Sequence, residues 1–117
     1  MEYHPGTHLI ATFETQTAHL LERSAQFKDL VNELVAANGL RKLGEVYHDF
    51  EPAGYTGVIC LSESHLSIHT WPEYRKVNID IYLSNYLRDN DGTVDAIYSA
   101  LREFFCGQII HEQKIRR

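Results

Sequence analysis

Residues 17–38 carry Leu20, Phe27, Leu30, Val31, Leu34 and Val35 at helical spacing, with Gly39 behind them as a stop. A single apolar stripe covers a single face, so this helix must lie against something flat, and a sheet is the ordinary solution. A second segment, 91–106, sets Val94, Ile97, Tyr98, Leu101, Phe104 and Phe105 on one side and ends at Gly107. Around these two segments the period changes to two. Residues 8–14 read as a first strand, and 43–51 alternate loosely up to Pro52. PAGYTG then supplies turn chemistry, and 57–62 form a short apolar run. Residues 65–71 alternate strictly, 76–84 do so again, and QIIHEQKI closes the chain as a last strand. The order is β-α-β-β-β-β-α-β. Two helices that need the same sheet give an α+β fold: a two-layer α/β sandwich, mostly antiparallel, with both helices on one face.

With 117 residues and no linker or low-complexity tract, the expectation is one domain spanning 1–117. Apolar residues are 44% and charged residues 23%, which excludes a disordered or fibrous chain. No apolar stretch approaches the roughly 20 residues of a membrane helix. MEYHPGTH also lacks the basic and apolar regions of a secretion signal. The net charge of −5 argues against phosphate-driven nucleic-acid binding and is compatible with a small cationic substrate. Cys60 and Cys106 are the two cysteines, and both lie among apolar neighbours in sequence. A disulfide framework is therefore not expected, and the cytoplasm is the default location.

The polar face of HLSIHTW is the anomaly. Leu66 and Ile68 point one way, while His65, Ser67 and His69 point the other, directly after Ser62-Glu63-Ser64. Two imidazoles, three hydroxyls and a carboxylate so close together suit proton transfer. The same residues can also be a solvated strand face. As a metal site they are poor: His65 and His69 stand roughly 13 Å apart by strand rise, and HExxH is absent. A serine hydrolase would need a GxSxG elbow, and Glu63-Ser64-His65 has no flanking glycines.

SESHLSIHTWPE, residues 62–73, resembles the processing-site signature of the bacterial and archaeal S-adenosylmethionine decarboxylases. The resemblance extends over GTHLIATFE, the long helix, the Phe50 strand, GVICLSESH, NIDIYLS and the late helix. It implies a pyruvoyl group made from Ser64, formed when Ser64 attacks the Glu63 carbonyl and the resulting ester is eliminated. The chain then divides into a β chain, 1–63, and an α chain, 64–117. The ketone forms a Schiff base with a substrate amine and withdraws electrons as carbon dioxide leaves. By the same resemblance His69 removes the α-proton during processing and Thr56, matching a family serine, assists. Phe50 matches an aromatic that stacks on adenine, and Glu63 and His65 are expected at the substrate. Read from the residues alone, His69 can equally be an exposed strand residue, Thr56 a turn hydroxyl and Phe50 part of the core. The resemblance further implies polyamine (spermidine) biosynthesis and a homodimer with residues of both protomers near each site.

Two positions depart from the family. Its proton-returning cysteine falls on Ser84, and an aliphatic hydroxyl is far less acidic than a thiol of pKa about 8.5. Thr12 stands where the first strand commonly has an acidic residue. Both changes bear on the substrate, not on self-processing. L-Arginine or L-ornithine is the alternative substrate, with Asp49, Glu51 and Asp80 as candidate partners for its cationic tail. A non-processing regulatory homologue is the alternative of a different class.

Overall fold

Strands form where β-branched and aromatic residues alternate with polar ones. In the computed structural model, which describes residues 2–117, these are β1 (Thr7–Glu14), β2 (Lys42–Asp49), β3 (Tyr55–Leu61), β4 (Ser64–Trp71), β5 (Lys76–Leu83) and β6 (Gln108–Arg116). They make one six-stranded sheet in the order β2-β3-β4-β5-β1-β6, with all five pairings antiparallel. Helix α1 (Ala25–Ala37) lies between β1 and β2 in the chain, and α2 (Asp91–Phe105) between β5 and β6.

The register explains the layers. Ile59 pairs with Leu66 and Leu66 with Ile81, so one apolar rung crosses three strands. Such rungs meet Phe27 and Val31 of α1 and Val94, Leu101 and Phe105 of α2 in a single buried cluster. Both helices therefore cover the same face, as the shared-sheet argument requires. The other face is open. It carries Thr56, Val58 and Cys60 of β3 and His65, Ser67 and His69 of β4. Gly6 lets the N-terminal segment press against the end of β5, since a Cβ there would stand 2.3 Å from the Leu83 carbonyl oxygen.

Two expectations need correction. Helix α1 begins at Ala25, not near Thr17, and Ala18–Leu21 form a separate 3₁₀ turn. The carbonyls that would continue the helical ladder are taken from outside. Leu20 O accepts from the Tyr55 hydroxyl at 3.1 Å, Leu21 O from the Thr70 hydroxyl at 2.7 Å, and Glu22 O from the Gly54 N–H at 3.0 Å. The cysteines are the second case. Both are free and exposed, because Cys60 falls on the uncovered side of β3 and Cys106 caps α2 in a left-handed conformation. Among the described residues no helix is long and apolar enough to cross a membrane.

Candidate active site

A two-residue turn, Ser62-Glu63, joins β3 to β4, with Leu61 paired to Ser64. Tight hairpins need positive φ somewhere and usually meet the need with glycine or asparagine. Here Ser64 takes it, at φ +127°. A residue with a Cβ rarely adopts that conformation, which costs on the order of 1–3 kcal/mol. The peptide entering Ser64 is held from several sides. The Glu63 carbonyl accepts a hydrogen bond from the Ser84 N–H at 2.8 Å, and the Ser62 N–H donates to Arg41 O at 2.9 Å. The Glu63 carboxylate is only 7% exposed. Arg88 donates to it through two nitrogens at 3.1 Å each, and the Asn90 amide donates at 2.9 Å. Burial works to raise the Glu63 pKa, but these hydrogen bonds outweigh it and hold the carboxyl below its ordinary value.

Farther along β4, Thr56 and His69 face each other across the β3–β4 ladder, with Thr56 Oγ1 3.0 Å from His69 Nδ1. Two residues that sequence reasoning named separately are thus one hydrogen-bonded pair. Both border a cleft of about 290 Å³ that also contains Phe50 and Trp71. Phe50 is 47% exposed, so it is not a core residue, and its ring meets His48 edge-on. Ser64 and His69 border one open cleft of about 1030 Å³ on the uncovered face. Five steps along the strand separate them, about 16 Å at the usual rise. The structure therefore unites Thr56 with His69 and sets that pair apart from Ser64 within one chain.

Between these ends lies a polar group that the sequence showed only in part. His8 Nε2 pairs with Asp80 Oδ1, and His65 Nε2 lies 3.7 Å from Asp80 Oδ2. Arg117 sits 3.2 Å from His8 Nδ1. A guanidinium can only donate, so Nδ1 accepts and Nε2 carries the proton that Asp80 receives. That tautomer has no lone pair on Nε2 to offer a metal, although the three ligand atoms fall within 4.8 Å of one another. Tyr82, opposite both His8 and His65, has its pKa raised by a hydrogen bond with Tyr3 and then by burial. The alternation of 76–84 already grouped Asp80, Tyr82 and Ser84. His8 was readable from the same alternation in 8–14.

The remaining candidates divide. Asp80 borders a smaller pocket beside Ser67 and His69 on the open face, whereas Asp49 accepts from the Ser24 N–H at the start of α1 and Glu51 pairs with Arg23. Thr12 donates to Asn78 Oδ1 at 2.9 Å, a neutral pair on the open face. Ser84 is half-buried, and its backbone N–H contacts the Glu63 carbonyl. Cys60 borders the Ser64 cleft directly across the ladder from His65. Apolar neighbours in sequence concealed it, because alternation sends it to the open side.

The S-adenosylmethionine decarboxylase family model matches residues 7–117. The chain belongs to that family. The S-adenosylmethionine decarboxylase proenzyme of Archaeoglobus fulgidus is 43% identical over 77 residues, 66% of this chain and 69% of that protein. The Aquifex aeolicus proenzyme is 32% identical over 110 residues, covering 94% of this chain and 82% of its own length. The crystal structure of the adenosylmethionine decarboxylase from Aquifex aeolicus superimposes with a TM-score of 0.85 at 26% identity, over 99% of this chain and 92% of that one. The two-layer sandwich is therefore the family's own fold. The family's cofactor is a pyruvoyl group formed from an internal serine.

Proposed function

We propose that this protein is a pyruvoyl-dependent decarboxylase of S-adenosylmethionine, serving polyamine synthesis in the cytoplasm, and that it cuts itself between Glu63 and Ser64. The observation that carries the reading is the hairpin. Ser64 is held at φ +127° immediately after a carbonyl polarised by the Ser84 N–H. Residue 64 thus fits a serine due for conversion into a ketone.

The chemistry follows from the chain's own groups. Ser64 Oγ loses its proton as it attacks the Glu63 carbonyl carbon. The oxygen that gains negative charge is the one already bonded to the Ser84 N–H. The C–N bond breaks, the Ser64 nitrogen takes a proton, and the amide has become an ester. A base then removes the Ser64 α-proton. The released pair forms the Cα–Cβ double bond while the ester C–O bond breaks, leaving Glu63 as a free carboxylate. Water hydrolyses the dehydroalanine with loss of ammonia, and residue 64 becomes pyruvoyl. Once present, that ketone supplies an electron sink for the loss of carbon dioxide from a substrate amine.

His69 is the base in this reading. Thr56 engages Nδ1 and leaves Nε2 for the proton. A distance of about 16 Å along β4 keeps His69 from Ser64 of its own chain. We therefore take the working form as a homodimer in which the open faces meet and the Thr56–His69 pair of one protomer serves Ser64 of its partner. The exposure of Val46, Val58 and Trp71 supports such a contact. Phe50, beside Thr56 and His69, is the aromatic offered to adenine.

L-Arginine or L-ornithine is the second reading of the substrate, favoured by the neutral Thr12–Asn78 pair with Asp80 as the acidic group nearby. Carbon dioxide release from S-adenosylmethionine, L-arginine and L-ornithine, assayed side by side, separates the two. Turnover of S-adenosylmethionine by the wild type and none by Ser64→Ala is expected. Turnover of an amino acid alone moves the reading to the second substrate. No turnover, from a chain that never cuts, leaves the non-processing regulatory homologue.

A further inference from the structure

Glu63 has a side chain as well as a carbonyl, and the chemistry above does not use it. Its buried carboxylate closes a ring of hydrogen bonds. Asn90, fully buried, gives one amide hydrogen to Glu63 Oε1 and the other to the Ser84 carbonyl, each at 2.9 Å. The Ser84 N–H in turn donates to the Glu63 carbonyl at 2.8 Å. Ser84 is therefore held at its carbonyl by Asn90 while its N–H holds the bond to be cut. Arg88 supplies the charge that a buried carboxylate requires. The same guanidinium donates to the carbonyls of Asn38 and Gly39, at 3.1 and 3.2 Å, and so ties the ring to the end of α1.

The orientation of Asn90 is fixed by its partners, since both amide hydrogens face acceptors and a flipped amide would set oxygen against oxygen. Its own oxygen is buried with no hydrogen-bond partner among the described residues. A buried polar atom left unpaired is destabilising, so the arrangement favours geometry over stability.

We propose that Arg88 and Asn90 are positioning residues for self-cleavage, acting through the Glu63 side chain to keep its carbonyl on the Ser84 N–H while Ser64 is held in its left-handed backbone. This rests on the self-cleaving reading of Glu63–Ser64. Neither residue touches the reacting atoms. After the cut, the same contacts anchor Glu63 as the last residue of the 1–63 fragment.

The test is cell-free synthesis of the full chain, sampled over time by denaturing mass spectrometry with and without hydroxylamine. Hydroxylamine attacks the ester carbonyl and releases a 1–63 hydroxamate and a 64–117 fragment with a free amine. Asn90→Asp keeps the side-chain shape but removes both donors and adds a like charge. It slows cleavage by about 10²-fold, the scale expected when a reacting group is misplaced by about an ångström. Arg88→Lys, which keeps the charge and loses the fork, slows it less. Neither accumulates hydroxylamine-sensitive ester, whereas His69→Ala, blocked at elimination, does. Each clamp substitution, placed in the uncut Ser64→Ala chain, leaves a cooperative melting transition above the assay temperature. If Asn90→Asp does not fold, Arg88→Lys decides. Folded clamp variants that cut at the wild-type rate overturn the proposal, as do slow variants that accumulate ester. A wild-type chain that stays whole is a separate result and brings down the self-cleaving reading itself.

Discussion

At the start of β4 the fold draws side chains inward: Glu63 is buried, hydrogen-bonded to Arg88 and Asn90, and followed by a serine in a strained conformation. Toward the end of the same strand it does the opposite. His69 is exposed, held by a single partner on a neighbouring strand, and open to anything that covers the face. One end is a preset bond, and the other is an imidazole that Thr56 holds but that stands about 16 Å along the strand from Ser64 of its own chain. In the reading proposed above neither end completes a site alone, and a second copy supplies the missing half.

The strand order adds to this contrast. Cleavage after Glu63 assigns β1, β2 and β3 to one fragment and β4, β5 and β6 to the other. Because β1 lies between β5 and β6, the fragments interleave and separate only if the sheet unravels. Self-cleavage can therefore leave the core intact.

The strongest way to break the comparison is to disable each end in a different chain. His69→Ala alone cuts about 10³-fold more slowly than the wild type, in the range for loss of a positioned base. Co-expressed with a distinguishable Ser64→Ala chain, the His69→Ala chain is cut, because its intact Ser64 meets the partner's intact His69. Persistent absence of cleavage in the mixed dimer, with both chains folded, would put the two ends to work within one protomer.

A smaller effect sharpens the role of the exposed end. Thr56→Val removes one hydrogen bond to His69, worth about 1 kcal/mol, and slows processing by roughly fivefold to tenfold. Thr56→Ser restores the rate, since the hydroxyl is the working part. Time courses of fragment appearance measure both.

The buried end makes the smallest prediction, and its sign follows from the lowered Glu63 pKa. The hydrogen bonds that lower it give stability that is fully present above the unfolded carboxyl value of about 4.3 and is lost as pH falls through the folded value. In the uncut Ser64→Ala background, melting temperature accordingly falls through the acid range below that point. Glu63→Gln flattens this part of the curve. An unchanged slope would show that the carboxylate is not the titrating group.

Much of this was readable from residue order, and the rest had definite reasons to hide. Strict alternation in 65–71 and 76–84 locates β4 and β5 and assigns His65, Ser67, His69 and Asp80 to the polar face, because period two is a property of the backbone. The stripe in 91–106 locates α2 for the equivalent reason. The start of α1 is not local information: Tyr55, Thr70 and Gly54, far along the chain, take the carbonyls of Leu20, Leu21 and Glu22. Arg88 and Asn90 lie in an aperiodic loop 25 and 27 positions from Glu63, so their meeting with it is purely tertiary. The left-handed backbone at Ser64 breaks the glycine habit of such turns, and no propensity predicts it. The open face also reverses the reading of Cys60, whose apolar neighbours point to the side opposite its own.

Denaturing mass spectrometry of the purified chain, before and after borohydride, bears most directly on the Glu63–Ser64 bond. Two polypeptides ending and beginning there are expected, the second without a free amine and gaining two hydrogens on reduction. A single intact mass that borohydride leaves unchanged would contradict the account.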